Sequence, residues 1–403
     1  MIDTTTETKV DPAIPDAPVD DFAAKERELE AMLDRTGKKR GSIALITGNI
    51  PPYSHCGSAD YSQRLYRAVD HPEMELAYLP LNESFKRRLE SSNIKSAKLI
   101  HFQALSWDLN KKQVFLPLLV RFLNPRAKIV ATLHEWDSLK PLLRVAMYPF
   151  PLLAKHLIFV SRSERAAFLK HPLNKILRKK TTWIPIGCNL DVPEFTKEEI
   201  DDFRANTVMK GLDPDTKVVV HFGWIYRTKQ PETMLEMVRL AKEKGEKVKL
   251  VMVGDFHAHH PDRKAAFVQS IKDQGLEKEV EILGYIEDNR TASLWLAASD
   301  GQIALYLDGL SMRRGSFWVG CQIGRPIITT ELQTPEEFGE YEEGLVAPHV
   351  NFLPKGADAQ KLLKAVEALP PFAAKAYPMI RVPDWGSIGE QHRTLYRSLG
   401  IDV

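Results

Sequence analysis

The chain has 403 residues, of which 44% are hydrophobic and 27% are charged. These proportions are ordinary for a folded globular protein, and they exclude a disordered chain, a collagen and a small disulfide scaffold. At roughly 100–200 residues per domain, the length predicts two or three domains. Cys56, Cys188 and Cys321 lie far apart in the sequence. We therefore expect neither a structural zinc site nor a disulfide framework, and a reducing cytoplasm fits best.

The charge is spread unevenly along the chain. Residues 1–40 carry a net charge of −3, residues 41–190 carry +12 and residues 191–403 carry −7. A positive field on one half of the molecule attracts anionic lipid headgroups, nucleic acid or phosphorylated acceptors. No aromatic-rich RNA motif or helix-turn-helix pattern accompanies the charge, so nucleic acid is not expected as a partner. A solvated basic surface and attachment to an anionic membrane both stay open.

Two segments of the chain could be mistaken for a signal peptide or a membrane span. Residues 1–40 are polar and acidic, which predicts a mobile acidic tail with a short helix at 21–36 rather than a signal peptide. The apolar window at 142–160 contains two charged residues and two prolines, and a membrane span needs about 20 apolar residues. This window is predicted to be a buried helix or an interfacial contact. We expect a cytoplasmic protein, for which a peripheral position on the inner face of the cell membrane stays open.

From residue 41 onward, short apolar runs alternate with longer helical stretches. The first set of runs is 42–47, 97–102, 128–133, 156–160 and 181–185, and the second set is 217–222, 247–253, 280–283, 302–305 and 326–329. Continuous apolar runs predict strands that are buried on both faces of parallel sheets. Stretches such as 231–244 and 263–274 fit crossover helices. An acidic segment, 191–214, separates the two sets.

This pattern predicts an α/β protein with two Rossmann-like domains that face each other across a cleft. The expected boundaries are 41–195 for the first domain, 196–380 for the second domain and 381–403 for a C-terminal helix. Open α/β domains bind ligands at the carboxyl ends of their strands, so the cleft is the expected binding site.

Two motifs of the first half lie where strands end. Gly57 belongs to a glycine-containing loop before a helix, which can approach a phosphate or a sugar closely, although a plain tight turn is equally open. His134 follows the run at 128–133 and could bond a sugar hydroxyl or act on a proton. The alternative for His134 is a cap on the following helix.

The second half carries two loops with anion-binding character. Gly223 lets the backbone approach a ligand, and Lys229 at a helix start can neutralise a diphosphate. The loop from Asp308 to Ser316 holds two adjacent arginines and a Gly-Ser pair before a helix, which predicts a phosphate site. Adjacent residues entering a helix point about 100° apart, so we expect one arginine to face the anion and the other to brace the loop or the cleft.

Three histidines, His257, His259 and His260, suggest a metal site at first sight. They lie in a loop before a proline and lack a set of carboxylates at helical spacing. We interpret them as a solvated loop and expect no bound metal.

The chain resembles a GT-B-fold glycosyltransferase of the retaining family-four (glycosyl transferases group 1) type over about residues 41–398. The matching landmarks are Pro51-Pro52 with Gly57, His134, Phe159-Val160-Ser161, Ile184-Pro185-Ile186-Gly187, Gly223 to Lys229, Val253-Gly254-Asp255 and Leu283-Gly284-Tyr285. Trp224 stands where the family has an arginine. The family's Glu-x7-Glu is absent, and Asp308 falls near its first glutamate. The loop from Asp308 resembles a subgroup with Asp-Gly-x-Ser-x-Arg-Arg-Gly-Ser/Thr.

The resemblance implies a metal-independent hexosyltransferase that uses a nucleotide-sugar donor and no further cofactor. His134 and Asp308 are the implied catalytic residues, and Tyr285 is implied near the nucleotide base. The other implied donor-binding residues are Gly57, Gly223, Arg227, Lys229, Ser311, Arg313, Arg314, Gly315 and Ser316. The acceptor is an unknown sugar, a lipid-linked molecule or a small molecule, in bacterial polysaccharide, glycolipid or glycoside synthesis with retention of configuration.

Two other functions stay open at this point. One is a catalytically inactive GT-B homologue that serves as a binding or scaffold protein. The other is a sugar-nucleotide epimerase, which would need acidic and histidine residues around the glycosidic bond in the second domain. The sequence contains no evident set of that kind.

Overall fold

The computed structural model describes residues 42–47, 57–79, 85–104, 114–256, 261–372 and 380–403. The predicted tail helix, the prolines of the first loop, and His257, His259 and His260 lie outside these residues. No helix in the described ranges is long and apolar enough to cross a membrane.

The first domain is built on a six-stranded parallel sheet. Its strands are β1 (Ile43–Thr47), β2 (Met74–Tyr78), β3 (Leu99–Ala104), β4 (Lys128–Leu133), β5 (His156–Phe159) and β6 (Thr181–Trp183). They lie in the order β2-β1-β3-β4-β5-β6. Its helices are α1 (Gly57–Val69), α2 (Phe85–Ser91), α3 (Leu116–Leu123), α4 (Pro141–Ala146), α5 (Pro149–Leu153), α6 (Arg162–Lys170) and α7 (Pro172–Lys175).

The second domain has a parallel sheet of the same size. Its strands are β7 (Lys217–Phe222), β8 (Val248–Val253), β9 (Val280–Gly284), β10 (Gly301–Ala304), β11 (Ile327–Thr330) and β12 (Val350–Leu353), in the order β12-β11-β10-β7-β8-β9. Its helices are α8 (Lys197–Phe203), α9 (Pro231–Lys244), α10 (Pro261–Asp273), α11 (Asn289–Ala297), α12 (Gly315–Ile323) and α13 (Ala359–Glu367). The last helix of the chain is α14 (Trp385–Ser398). The predicted α/β architecture of two Rossmann-like domains is therefore confirmed.

Apolar residues alternate between the two faces of the first sheet, and a different group of helices packs on each face. Ala44 and Ile46 face a core that includes Val120 of α3 and Phe168 of α6. Ile43 and its neighbours on the opposite face pack against α1 and α14. Connections that run in one direction across a parallel sheet place their helices on one face, because such crossovers are right-handed. Helices α3 to α7 therefore lie together.

Helix α14 crosses back from the second domain and packs on α1. Gly389 lies so close to α1 that a Cβ atom there would stand 2.2 Å from the carbonyl oxygen of Ala68. His392 is completely buried, and its Nδ1–H donates to the carbonyl oxygen of Ile388 (2.8 Å). Its Nε2 is left to accept from the Tyr61 hydroxyl (3.4 Å). Helix α14 thus closes the core of the first domain with polar as well as apolar contacts.

The burial of His392 makes stability depend on pH. Burial lowers the pKa of His392 from 6.5 to about 4. A histidine held neutral in the fold stabilises it fully above pH 6.5, and the contribution is lost as the pH falls towards 4, because the unfolded chain takes up a proton first.

We predict that His392→Asn is less stable than the wild type at pH 7.5, and that the difference shrinks between pH 6.5 and 4. Asparagine keeps a hydrogen-bond donor but has no ring to protonate. Chemical denaturation of both proteins across this range measures the difference in the free energy of unfolding. A constant difference would show that His392 takes up no proton on unfolding in this range.

Candidate functional site

The strand order of the second sheet reverses between β7 and β10, because the chain runs to β8 and β9 on one side and to β11 and β12 on the other. Loops that follow strands on either side of such a switch point leave a crevice between them, where α/β domains bind ligands. The two loops that leave this point are the predicted anion-binding segments, Gly223 to Lys229 and Asp308 to Ser316.

Lys229 ends a short 3₁₀ turn, Arg227–Lys229, and its side chain is buried, with 5% of the residue exposed. Its Nζ lies 3.5 Å from the Ser316 Oγ and 3.4 Å from the carbonyl oxygen of Phe222. Among the described residues, no carboxylate oxygen lies within 4.0 Å of this ammonium group. Burial, together with repulsion from Arg314, lowers the pKa of Lys229 from 10.5 to about 7. A buried cation without a counter-ion favours binding of an anion.

Gly223 makes this arrangement possible. Its φ is +97°, and a Cβ atom there would lie 2.9 Å from the Lys229 Nζ and 3.5 Å from the Ser316 Cβ. Gly254, directly after β8, also lies close to Gly223, since a Cβ atom on Gly254 would stand 2.1 Å from the Gly223 carbonyl oxygen. The absence of side chains at both positions lets the strand end, the lysine and α12 meet.

The N-terminus of α12 lies at the same place. Arg314 is its N-cap residue and makes no side-chain capping bond. The N–H groups of Gly315 and Phe317 donate to the carbonyl oxygens of Arg313 (3.2 Å) and Arg314 (2.9 Å), so the N–H of Ser316 is the group of this first turn for which the described residues show no backbone acceptor. Ser316 lies in the first turn, and its Oγ is 3.2 Å from the buried Tyr306 hydroxyl. At Gly315 a Cβ atom would stand 3.1 Å from Asn189, between the two domains. A helix N-terminus beside a buried lysine is a favourable position for a phosphate.

The two arginines of the loop have different roles. Arg314 Nη2 donates to both oxygens of Asp308 (2.6 and 2.7 Å), and its guanidinium lies 4.7 Å from the centre of the Tyr306 ring. Its charge also reaches Lys229, whose pKa it helps to lower. Arg313 donates to Asp308 (2.8 Å) and, across the cleft, to Glu164 Oε1 (2.7 Å). Arg314 is therefore the arginine beside the anion site, and Arg313 is the brace between domains.

Glu164 and Glu337 anchor this brace from both sides. Glu164 is 1% exposed, and its second oxygen accepts from the backbone N–H of Asp137 (2.7 Å). Glu337 is completely buried in the second domain and accepts from the N–H of Met312 (3.0 Å) and, from the first domain, the N–H of Ser163 (2.9 Å). The start of α6 is thus bonded to the anion-binding loop through two carboxylates.

His134 lies at the carboxyl end of β4, facing the same cleft from the first domain. Its Nε2 is 3.0 Å from Gln103 Oε1, and its ring lies edge-on to Tyr61 at 4.9 Å. Burial lowers its pKa to about 4, so the ring is neutral at pH 7. Gln103 Nε2 in turn forms a hydrogen bond with His101 Nε2 (3.3 Å), and His101 Nδ1 forms one with the Tyr396 hydroxyl of α14 (2.6 Å). A chain of hydrogen bonds through the core therefore fixes the orientation of His134.

An aromatic pair stands at the other end of the site. Trp224 and Tyr285 stack at 6.4 Å with an angle of 14° between their rings, and Tyr285 is 56% exposed. Burial, followed by the nearby negative charge of Asp60 on α1, raises the pKa of Tyr285. Exposed aromatic faces of this kind can stack on a flat ring.

Three further residues predicted for the donor site have the following surroundings. Arg227 is exposed and lines a neighbouring cavity of about 430 Å³ with Glu232 and Arg263, which none of Lys229, Arg314 or Ser316 lines. Gly57 begins α1 and would have open space around a Cβ atom. Ser311 is completely buried, and its Oγ has no hydrogen-bond partner among the described residues.

Four features of the site were not predicted from the sequence: Glu164, Glu337, Gln103 and the stacking of Trp224 on Tyr285. Glu164 carried a recognisable signal, because Ser161-x-x-Glu164 is a capping-box pattern and Ser161 Oγ does accept from the Glu164 N–H. The side chain of Glu164 turns instead to Arg313. Nothing local in the sequence marks Glu337 or Gln103, because the contacts that matter for the site are with Ser163, 174 residues before Glu337, and with His134, 31 residues after Gln103. Within the described ranges, no group of three potential metal ligands is present.

These features define a two-domain α/β protein in which a buried lysine, an arginine and a helix N-terminus form a candidate anion site at the switch point of the second domain. The fold is GT-B. Residues 216–369 match the family model described as Glycosyl transferases group 1, which covers less than half of the chain. The matched segment includes Lys229, Arg314 and Ser316. No curated protein matches the chain by sequence similarity.

Solved structures show the same architecture at low sequence identity. HepE from Anabaena, in complex with UDP and glucose, aligns with a TM-score of 0.63 at 16% identity, over 89% of this chain and 99% of its own. Sucrose-phosphate synthase from Thermosynechococcus elongatus gives 0.60 at 18%, with the same coverage. The catalytic domain of Starch Synthase IV from Arabidopsis thaliana, bound to ADP and acarbose, gives 0.59 at 12%, again over 89% and 99%.

We predict that Gly223→Ala disrupts the anion site as well as the backbone. Gly245, the C-cap of α9, is a matched control, because its φ is +77° but no atom lies within 4 Å of the position that a Cβ methyl group would take. Gly245→Ala should lose about 1–2 kcal/mol from left-handed backbone strain alone. Gly223→Ala should lose more, and it alone should weaken binding of a nucleoside diphosphate. Denaturation and calorimetric titration measure the two effects. Equal losses with unchanged affinity would remove Gly223 from the site.

Proposed function

We propose that this protein is a glycosyltransferase that moves a hexosyl group from a nucleoside diphosphate sugar to an acceptor in the cleft. The observation that carries the proposal is the buried, carboxylate-free ammonium of Lys229 beside Arg314 and the N-terminus of α12. The group 1 match over this segment supports it. The complex of HepE with UDP-glucose is consistent with a nucleotide-sugar donor.

The chemistry needs positive charge where the donor breaks. As the bond between the anomeric carbon and the phosphate oxygen lengthens, negative charge grows on the departing diphosphate. Lys229, Arg314 and the N–H group of Ser316 at the start of α12 are fixed before the reaction, and donors of this kind are worth about 3–4 kcal/mol each in the transition state. These cations supply the charge that a divalent metal supplies elsewhere, so we propose metal-independent transfer.

The first domain contributes the acceptor side of the cleft. His134 is neutral and held by Gln103, which suits it to bond a sugar hydroxyl. Asp308 bonds both arginines, so we assign it a positioning role rather than the catalytic contact expected from the sequence. We propose retention of configuration by attack on the face from which the diphosphate leaves, and a product that is a bacterial polysaccharide, glycolipid or small glycoside.

A panel of nucleotides tests the proposal directly. Thermal unfolding with UDP, ADP and GDP identifies the base, because a ligand at 100 times its Kd adds about 2.7 kcal/mol to the stability. Transfer and hydrolysis are then measured with the corresponding sugar nucleotides. Binding without transfer or hydrolysis, on any donor and with a broad set of acceptors, would instead identify an inactive homologue.

We predict that Lys229→Ala lowers turnover by about 10²–10³-fold, because one charge contact to the transition state is lost. Lys272→Ala, at an exposed lysine on α10, is the control and should turn over like the wild type. Near wild-type turnover in Lys229→Ala would remove this lysine from the reaction.

The pKa of Lys229 gives this prediction a second readout. With a pKa of about 7, about half of the free protein holds a neutral amine at pH 7, and a bound diphosphate favours the ammonium form. Nucleotide binding should therefore take up about half a proton at pH 7. Calorimetry in buffers of different ionisation enthalpy measures this uptake, which Lys229→Ala should abolish.

We predict that Arg314→Lys weakens nucleoside diphosphate binding by about tenfold or more, whereas Arg313→Lys changes it by less than about threefold. A lysine cannot bond Asp308 and a phosphate in the planar geometry of a guanidinium. Arg313 faces Glu164 instead, so its replacement should lower stability more than affinity. Arg239→Lys, on the surface of α9, is the control. Equal affinity in all three variants would exclude this loop from the donor site.

A further inference from the structure

Large apolar side chains are exposed together on one side of the first domain. Six of them, which we call the apolar strip, are between 64% and 84% exposed. They are Phe122, Leu142, Val145, Leu152, Leu173 and Ile176. The described residues contain twelve large exposed apolar side chains in all, so half of them lie in this one stretch of 55 residues. Single exposed leucines are ordinary, but a cluster marks an interaction site.

The helices that carry the strip are neighbours in space as well as in sequence. Helix α3 packs against α5. The Tyr148 hydroxyl, between α4 and α5, donates to Asn174 of α7 (3.1 Å). Lys180, beyond α7, donates to the carbonyl oxygens of Pro151 and Ala154 at the end of α5 (2.6 and 2.8 Å). The strip therefore lies on helices that are close together on the face of the sheet opposite α14.

Helix α4 shows that the exposure is not a by-product of core packing. None of its six residues is buried, although its sequence, Pro-Leu-Leu-Arg-Val-Ala, is mostly apolar. Most of the stability of a short helix in a protein comes from burying an apolar face. Leu142 and Val145 of α4 point their apolar surface outward instead. Such a helix gains stability when an apolar phase covers it.

The charge of the residues around the strip indicates what kind of apolar phase covers it. Residues 115–180 contain thirteen Lys and Arg against three Asp and Glu, a net charge of +10. Of the three acidic residues, Glu164 is buried against Arg313 and Asp137 pairs with Arg144 (3.5 Å). The exposed lysines beside the strip pair with no carboxylate in the described ranges. They are Lys140, Lys155, Lys170, Lys175 and Lys179.

We propose that the apolar strip is a membrane-docking surface, which inserts into the headgroup region of an anionic bilayer while the surrounding lysines bind lipid phosphates. Short helices with apolar residues on one side and lysines at the rim are suited to lie in a bilayer interface. A second copy of this chain is disfavoured as the occupant, because it would bring two surfaces of charge +10 together. Helix α4 begins seven residues after His134, so docking places the rim of the cleft beside the bilayer.

Vesicle binding tests the proposal on the full chain. The wild type should sediment with vesicles of phosphatidylglycerol and phosphatidylcholine and bind pure phosphatidylcholine far more weakly. Phe122→Ser/Leu142→Ser/Ile176→Ser should weaken binding by at least about tenfold, because each inserted side chain contributes up to about tenfold. All three positions are at least 80% exposed, so the fold should tolerate the changes. Unchanged binding in this variant would overturn the apolar insertion.

Two pairs of matched variants separate the strip from unspecific effects. Val145→Ser and Val346→Ser change valines of equal exposure, 65% and 63%, in the two domains, and only the first should weaken binding. Lys175→Glu/Lys179→Glu should weaken binding to anionic vesicles by about tenfold or more, whereas Lys361→Glu/Lys364→Glu on α13 should not. Equal effects in either pair would contradict a surface confined to the first domain.

The occupant is checked by two further measurements. Sedimentation velocity measures self-association across a range of protein concentrations. We expect no dimer that the triple serine variant abolishes. A dimer of that kind would show that a second copy of the chain, and not a membrane, covers the strip. Nucleoside diphosphate affinity should be the same in all these variants, because none of them touches the donor site. A protein that binds nucleotide but no vesicle would overturn docking and leave the proposed function intact.

Discussion

The ion pair between Arg313 and Glu164 is the interaction on which the geometry of the site depends. Two buried charges from different domains are costly unless each is fully bonded. Here Asp308 accepts from the second terminal nitrogen of Arg313 and the N–H of Asp137 donates to the second oxygen of Glu164, while Arg313 Nε has no hydrogen-bond partner among the described residues. Because Asp308 also holds Arg314, the position of the first domain is linked through three side chains to the arginine beside the anion site. The orientation of the domains and the shape of the candidate anion site are therefore set together.

Most of the fold could be predicted because buried parallel strands are continuous apolar runs. The two strands that the sequence analysis missed, β2 and β12, are both sheet edges. Each carries polar residues within the strand, Glu75 in β2 and Asn351 in β12, because an edge strand is covered less completely. Ten of the twelve strands followed from apolar runs, with ends shifted by at most two residues. Turn chemistry decides those ends, and apolar patterning does not report on it.

The candidate site was less predictable, for a different reason. The non-equivalence of Arg313 and Arg314 follows from helix geometry, but its direction depends on Glu164, which lies 149 residues earlier in the chain. The resemblance to a family with a pair of glutamates placed Asp308 near the sugar. In the structure, the Asp308 carboxylate accepts hydrogen bonds from Arg313 and Arg314. Carboxylates for the inter-domain contacts come from Glu164 and Glu337, which no local motif of the loop could indicate.

The basic residues of the chain divide into two physical groups, and the division explains why net charge alone was an ambiguous guide. Arg165 and Lys180 donate hydrogen bonds within the protein. Arg165 donates to Thr181 Oγ1, and Lys180 donates to the backbone carbonyl oxygen of Pro151 in α5. Lys140 and Lys175 are exposed beside apolar side chains. A solvated basic surface would need no apolar residues among its lysines, since exposed leucine and phenylalanine cost free energy in water. Lysines that pair with no carboxylate in the described part of the chain lie together with exposed apolar side chains, and this combination is what favours a lipid surface over bulk solvent.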